Sequence, residues 1–231
     1  MSTELANSFA EDHHEKYAEV LDAWASKAAG KTVTDAMVAQ WGADLHEALA
    51  EDIIDALTTK DALAVWSSKG ITLPSPEVVK MFSQIAAKYT LQYATRDLLD
   101  RLVKSATYNK ENPPEETITA AIRPMRPTEL SKRSPQTVAQ IFDMAKDKFS
   151  GSLQRFMVKT GQFSGRRRWV TTSKNSRHAA LNGNVKDFNE FFSFGKEKVV
   201  GPRPVGGSPA HWSNCSCRLQ YETKRGKWID G

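Results

Sequence analysis

Apolar residues recur at intervals of three and four through the first hundred positions. Leu5, Phe9, Tyr17, Val20, Leu21, Trp24 and Ala28 share one helical stripe with His13, which predicts a first helix ending near Gly30. Thr34 is placed to cap a second helix, whose stripe is Met37, Trp41, Leu45, Leu49, Ile53 and Leu57. A short segment with Leu63, Val65 and Trp66 stops at Gly70. Ser75-Pro76-Glu77 then supplies a cap, a proline for the first helical position and an acid for the first turn. The stripe that follows is Val78, Phe82, Ile85, Tyr89, Leu98 or Leu99, and Leu102, in a helix running to about Tyr108. Stripes of this kind are expected to be core, and none of these residues is expected to do chemistry.

The pattern breaks over 109–134, where Pro113, Pro114, Pro124 and Pro127 predict a linker or extended arm, with a short strand at 117–122. Ser134-Pro135 predicts the start of another helix, with Val138, Ile141, Phe142, Ala145, Phe149, Leu153 and Phe156 on its apolar face. Gly151 is a kink point and Gly161 its end. Beyond Gly165 the texture changes. Residues 166–172 read as a strand, Asn182-Gly183 as a turn, and 201–209 as an irregular loop. Around the end of the chain, Cys215, Cys217, Leu219 and Tyr221 alternate onto one strand face. The expected fold is α+β: a helical region over 1–108, the proline-rich connection over 109–134, and a small mixed α/β module with long loops over 135–231.

Composition changes the picture little, but charge does. Hydrophobic residues make up 40% of the 231 positions, enough for a real core, and no run has the length and apolarity of a membrane span. The first residues lack the basic start and apolar run of a secretory leader, and the two cysteines stand too close together for a relaxed disulfide; folding in a reducing cytoplasm is expected. Residues 1–110 hold 11 Lys/Arg against 16 Asp/Glu, and residues 111–231 hold 21 against 11. The net charge of +5 therefore hides an acidic half and a basic half, and only the second is suited to face nucleic acid or another acidic surface.

Six elements in order carry a resemblance. Trp169-Val170-Thr171-Thr172 is followed by Arg177-His178 and then by Leu181-Asn182-Gly183. Phe191, Phe192 and Phe194 come next, then the loop Gly201-Pro202-Arg203-Pro204, and finally Asn214-Cys215-Ser216-Cys217. This series, about a quarter of the chain, resembles the C-terminal signature of the Mu F-like minor head (head morphogenesis) proteins of tailed bacteriophages. Its signature positions here are Trp169, Thr172, Arg177, His178, Leu181, Gly183, Asn214, Cys215 and Cys217. Two departures stand out: Asn175 where the family often has Asp, and Ser216 where it usually has Arg. The resemblance implies a structural protein of the virion rather than an enzyme. Its location would be the capsid interior or portal region, reached from the host cytoplasm during assembly. Its partners would be the portal and the major capsid or scaffolding proteins, with packaged double-stranded DNA nearby.

Three kinds of chemistry remain to be weighed on the residues. His178, His211, Cys215 and Cys217 have the donor types of a two-His, two-Cys zinc site, although Cys-x-Cys is not the usual knuckle spacing; alternatively the cysteines pack a small core. Arg166, Arg167, Arg168, Lys196, Lys198 and Arg203 are candidates for phosphate contact, with Lys224, Arg225 and Lys227 adding charge. As a strand, 166–168 would split its three cations between two faces. A nuclease or toxin-like effector would use His178 as base with Arg168 and Arg177 as stabilisers, and would need all three in one open pocket. A non-specific DNA-binding protein would instead need one continuous basic face.

Overall fold

In a computed structural model of the chain, residues 3–28, 34–107, 127–172, 176–203, 215 and 217–230 are described. The order is α1 (Thr3–Ala28), α2 (Asp35–Thr58), α3 (Lys60–Ser67), α4 (Pro76–Thr107), α5 (Pro127–Lys159), β1 (Phe163–Val170), a one-turn 3₁₀ helix (Ala179–Leu181), β2 (Val185–Asp187), β3 (Phe192–Phe194), β4 (Glu197–Val199), β5 (Arg218–Thr223) and β6 (Trp228–Asp230). The fold is α+β, with the helices first and a small antiparallel sheet region after them. Among the described residues no helix is long and apolar enough to cross a membrane.

Helices α2 and α3 start for a local reason. The Thr34 hydroxyl accepts from the Met37 N–H at 3.3 Å, and Thr59 does the same for Ala62 at 3.2 Å, so each has a side-chain cap. Trp41, Leu45, Leu49, Ile53 and Leu57 are all buried, as the second stripe predicts. Helix α1 lies along α5, and α2 along α4. Stacked rings add to the packing: Phe9 on Phe142 at 4.5 Å, Trp24 on Trp41 at 5.3 Å.

Helix α4 departs from expectation. Its buried face is Val79, Ser83, Ala86, Ala87, Thr90, Leu91 and Thr95, not the predicted stripe. Small residues let the backbone approach α2 and α5 closely, and Thr90 and Thr95 fit the same narrow space. The larger Phe82 and Ile85 are displaced to a half-buried flank and Tyr89 is exposed. Leu98, Leu99 and Leu102 have side chains outside the described residues, as does the strand expected at 117–122.

Helix α5 begins at Pro127, eight residues before the predicted start, and carries Pro135 inside it. It then runs through Gly151 without a break and is deeply buried on its apolar side: Val138, Phe142, Ala145, Phe149, Leu153 and Met157 are fully covered. The helical region and the C-terminal module share one core. A single apolar cluster continues from α1 through α5 into Phe163, Tyr221 and Ile229 of the sheet. Trp66 of α3 packs on Phe163 at 5.9 Å and Tyr221 at 6.1 Å, and the Gln162 amide makes two 2.8 Å bonds with the Thr72 backbone.

The four-stranded sheet has the order β2-β1-β5-β6, all antiparallel, and β3 pairs with β4 as a separate hairpin. Trp169 stands opposite Leu219 and Arg167 opposite Tyr221. The Asn182-Gly183 turn forms as read: Gly183 has φ 80°, its N–H donates to the Trp169 carbonyl at 2.8 Å, and the Asn182 side chain accepts from the Thr171 N–H at 2.9 Å.

Candidate metal centre and basic surface

A second, smaller apolar cluster lies at the end of β1. It consists of Trp169, Leu181, Phe192, Val199 and Cys217, with Phe194, Cys215 and Leu219 against it. His178 sits among them with none of its surface exposed. The ring meets Trp169 edge-on at 5.4 Å and Phe194 at 4.8 Å. The chain delivers it there through a tight turn, in which Ser176 Oγ accepts from the His178 N–H at 3.2 Å and the 3₁₀ helix begins one residue later.

His178 Nδ1 lies 3.5 Å from Cys215 Sγ and 3.6 Å from Cys217 Sγ. All three atoms fall within 4.8 Å of one another, close enough to share one ion. The cysteines precede β5 rather than lying in it. The Cys217 thiol is held well down, at about 5, chiefly by the hydrogen bond from Cys215 and then by Ser176, Trp169 and His178, which together outweigh burial. The Cys215 thiol moves the other way, raised by that same bond and by burial. The pair thus favours a single thiolate with the proton kept on Cys215, an environment that presents negative charge to a cation. His211 and Asn214 lie outside the described residues.

The basic candidates do not form one surface. Arg167 is 5% exposed and points inward: its two Nη groups donate to the carbonyls of Val200 and Glu190. Arg203, with φ 48°, is 4% exposed and donates to Asp147 Oδ2 through Nε at 2.9 Å and Nη2 at 2.8 Å, and to the Cys215 carbonyl at 2.5 Å. The expectation of phosphate contact fails for both, which are structural cations inside the fold. Burial works against the Arg203 charge, but Asp147 and Asp143 outweigh it and hold the guanidinium more firmly protonated than usual. Asp147 is invisible to sequence reading, because a carboxylate on a helix shows no sign of a partner 56 residues later.

Arg166 and Arg168 occupy the other face of β1, as strand alternation requires. Arg166 pairs with Glu222 at 3.3 Å; Arg168 bonds Gln220 at 2.5 Å and covers the Trp228 ring at 4.6 Å. Lys196 and Lys198 are exposed on the β3–β4 hairpin. Arg177 is exposed while its neighbour His178 is fully buried, so Arg168, Arg177 and His178 do not converge in an open pocket.

The fold and this site define an α+β protein whose smaller apolar cluster holds a His/Cys/Cys group, His178 and Cys217 buried and Cys215 half-buried. No protein-family model, curated protein or solved structure matches the chain.

Proposed function

We propose that the protein is a minor structural component of a tailed-phage head, working at or near the portal, with a structural zinc ion in its C-terminal region. The observation that carries this reading is convergence. Trp169, His178, Leu181, Cys215 and Cys217, scattered over some fifty positions, meet in one buried cluster. The Phe-bearing segment joins them through Phe192 and Phe194, so the ordered signature behaves as a packing unit. The portal and the major capsid or scaffolding proteins are the proposed partners. Contact with packaged DNA would fall to the outer cations Arg166, Lys196 and Lys198.

Zinc is favoured by the donor set and its spacing. Bonds of about 2.3 Å to sulfur and about 2.0–2.1 Å to nitrogen, at tetrahedral angles, put N and S roughly 3.6 Å apart. The observed 3.5 and 3.6 Å need almost no adjustment. His211 is the proposed fourth ligand. What supports a structural over a catalytic role is the complete burial of His178, which leaves a base there no access to a phosphodiester.

Quantitative mass spectrometry of purified particles tests the role. A few copies per particle is the expected result. Hundreds of copies, or none, would overturn it.

A further inference from the structure

A cavity of about 460 Å³ opens between α4, α5 and the sheet region; its lining includes none of His178, Cys215 and Cys217, although Arg203 in that lining donates to the Cys215 carbonyl. Phe82, Ile85, Met144, Phe156 and Leu219 give it an apolar wall. Its charged lining is one-sided: Lys148, Arg155, Lys159, Arg167 and Arg203 against the single carboxylate Asp147, which Arg203 already engages at 2.8 Å. The volume is that of a small-ligand site, and an apolar wall with a few convergent polar groups is how such sites are built.

Two buried polar groups in the lining lack partners. Arg167 uses both Nη groups on backbone carbonyls, but its Nε has no acceptor. Ser150, 2% exposed, has no partner for its hydroxyl. Donors left unmet in a buried setting are costly and call for an explanation. The cations add to the imbalance. Arg155 and Arg167 lie against the same Phe188 ring, at 4.4 and 5.4 Å from its centroid, with no acid between them in the lining. The nearby Glu190 carboxylate is turned to the Asp187 N–H at 3.0 Å. Burial first, and the Arg155 charge among its neighbours, make Arg167 easier to deprotonate than an ordinary arginine.

We infer that this cavity binds an organic carboxylate with an apolar body, its charged end drawn to the Arg155 and Arg167 guanidinium groups beside Ser150 and its body against Phe82 and Phe156. The cationic lining matches a carboxylate, and the apolar wall excludes a bare inorganic anion as the preferred occupant. The carboxylate can come from a free small acid or from a polypeptide C-terminus ending in an aromatic residue.

The test is titration of the full chain, followed by the ¹⁵N–¹H resonance of the arginine Nε groups, with 4-phenylbutyrate, N-acetyl-L-phenylalanine, their neutral amides and inorganic phosphate. An acid should shift the Arg167 Nε resonance saturably, its amide should bind at least tenfold more weakly, and Arg155→Met should weaken the acid about tenfold while leaving the amide unchanged. Binding of N-acetylphenylalanine alone assigns the site to a chain terminus. Binding of phenylbutyrate, alone or as well, assigns it to free apolar acids. No saturable binding, equal binding of acid and amide, preference for phosphate, or indifference to Arg155→Met would each overturn the inference. Arg155 is exposed, so that variant is expected to fold.

Discussion

His178 Nδ1 stands 3.5 Å from the sulfur of Cys215, a residue 37 positions later, inside a shell of aromatic rings. If that contact belongs to a zinc site, protein purified without chelator will contain about one zinc per chain, measured by elemental analysis. Cys217→Ser and His178→Ala will each lose it. Stripping the metal will lower the thermal midpoint by roughly 10 °C, because binding energy at a structural site is folding energy. A metal-free protein with an unchanged midpoint would reduce the cluster to packed thiols.

The Asp147–Arg203 pair makes a second, independent prediction. Arg203 is almost wholly buried, and Asp147 meets it through two short bonds while Asp143 stays at 4.0 Å. Asp147→Asn leaves a buried guanidinium without its main counter-charge and is expected to cost about 3 kcal/mol. Chemical denaturation gives the value directly, and a loss under about 1 kcal/mol would show that Asp143 substitutes for it.

What is legible in the sequence and what is hidden divide along physical lines. The α2 stripe is legible because one face of that helix is large and apolar, and Trp41 through Leu57 are buried as periodicity requires. The α4 stripe misleads because its large residues look like core. Its real contact face is Ala86, Ala87, Ser83 and Thr90, and close helix packing rewards small size over hydrophobicity. The same feature hides the cavity, since periodicity assigns Phe82 and Ile85 to the interior. Pro135 reads as a helix start because a proline cannot donate in the ladder, yet Pro127 holds that position and the helix continues past the second. His178, Cys215 and Cys217 can be grouped from sequence by donor chemistry. The inward turn of Arg167 depends on which face of β1 meets the core, which alternation alone leaves open.

Tyr221 sets an alkaline limit. It is buried, and burial, followed by the charge of Asp147, raises its phenol above the usual value of 10. In the unfolded chain the phenol ionises near 10, whereas the native state keeps its proton longer. The stabilisation is therefore complete below about pH 10 and is lost as pH climbs above it, by about 1.4 kcal/mol per unit. Tyr221→Phe should remove this component, so its stability relative to the parent should improve by that slope between about pH 10 and 11.5. Urea midpoints of both proteins across this range supply the comparison, and parallel curves would refute it.

DNA contact, if made, uses the outer cations. Lys196→Ala with Lys198→Ala should weaken duplex binding and reduce the slope of log affinity against log salt by about 0.9 for each phosphate no longer neutralised, at unchanged fold. Arg167→Ala should instead destabilise the protein, since its guanidinium ties two loop carbonyls together. Filter binding across a salt series separates the two, and affinity that ignores salt would exclude phosphate contact altogether.

Gly151 offers the last test, because it lies inside α5 at a point where nothing demands glycine. Its φ is not positive, and a Cβ there would meet only the Tyr221 hydroxyl oxygen, at 4.0 Å, an ordinary contact. Alanine removes backbone freedom from the unfolded chain and should stabilise the protein by about 0.5–1 kcal/mol. Yet Gly151 also lines the cavity beside Ser150, so bulk at this position is felt by whatever the cavity holds. Gly151→Ala should therefore raise the thermal midpoint with little effect on carboxylate binding, while Gly151→Leu should abolish binding without unfolding the helix. A midpoint that falls with alanine would mean the space beside Tyr221 is tighter than 4.0 Å allows.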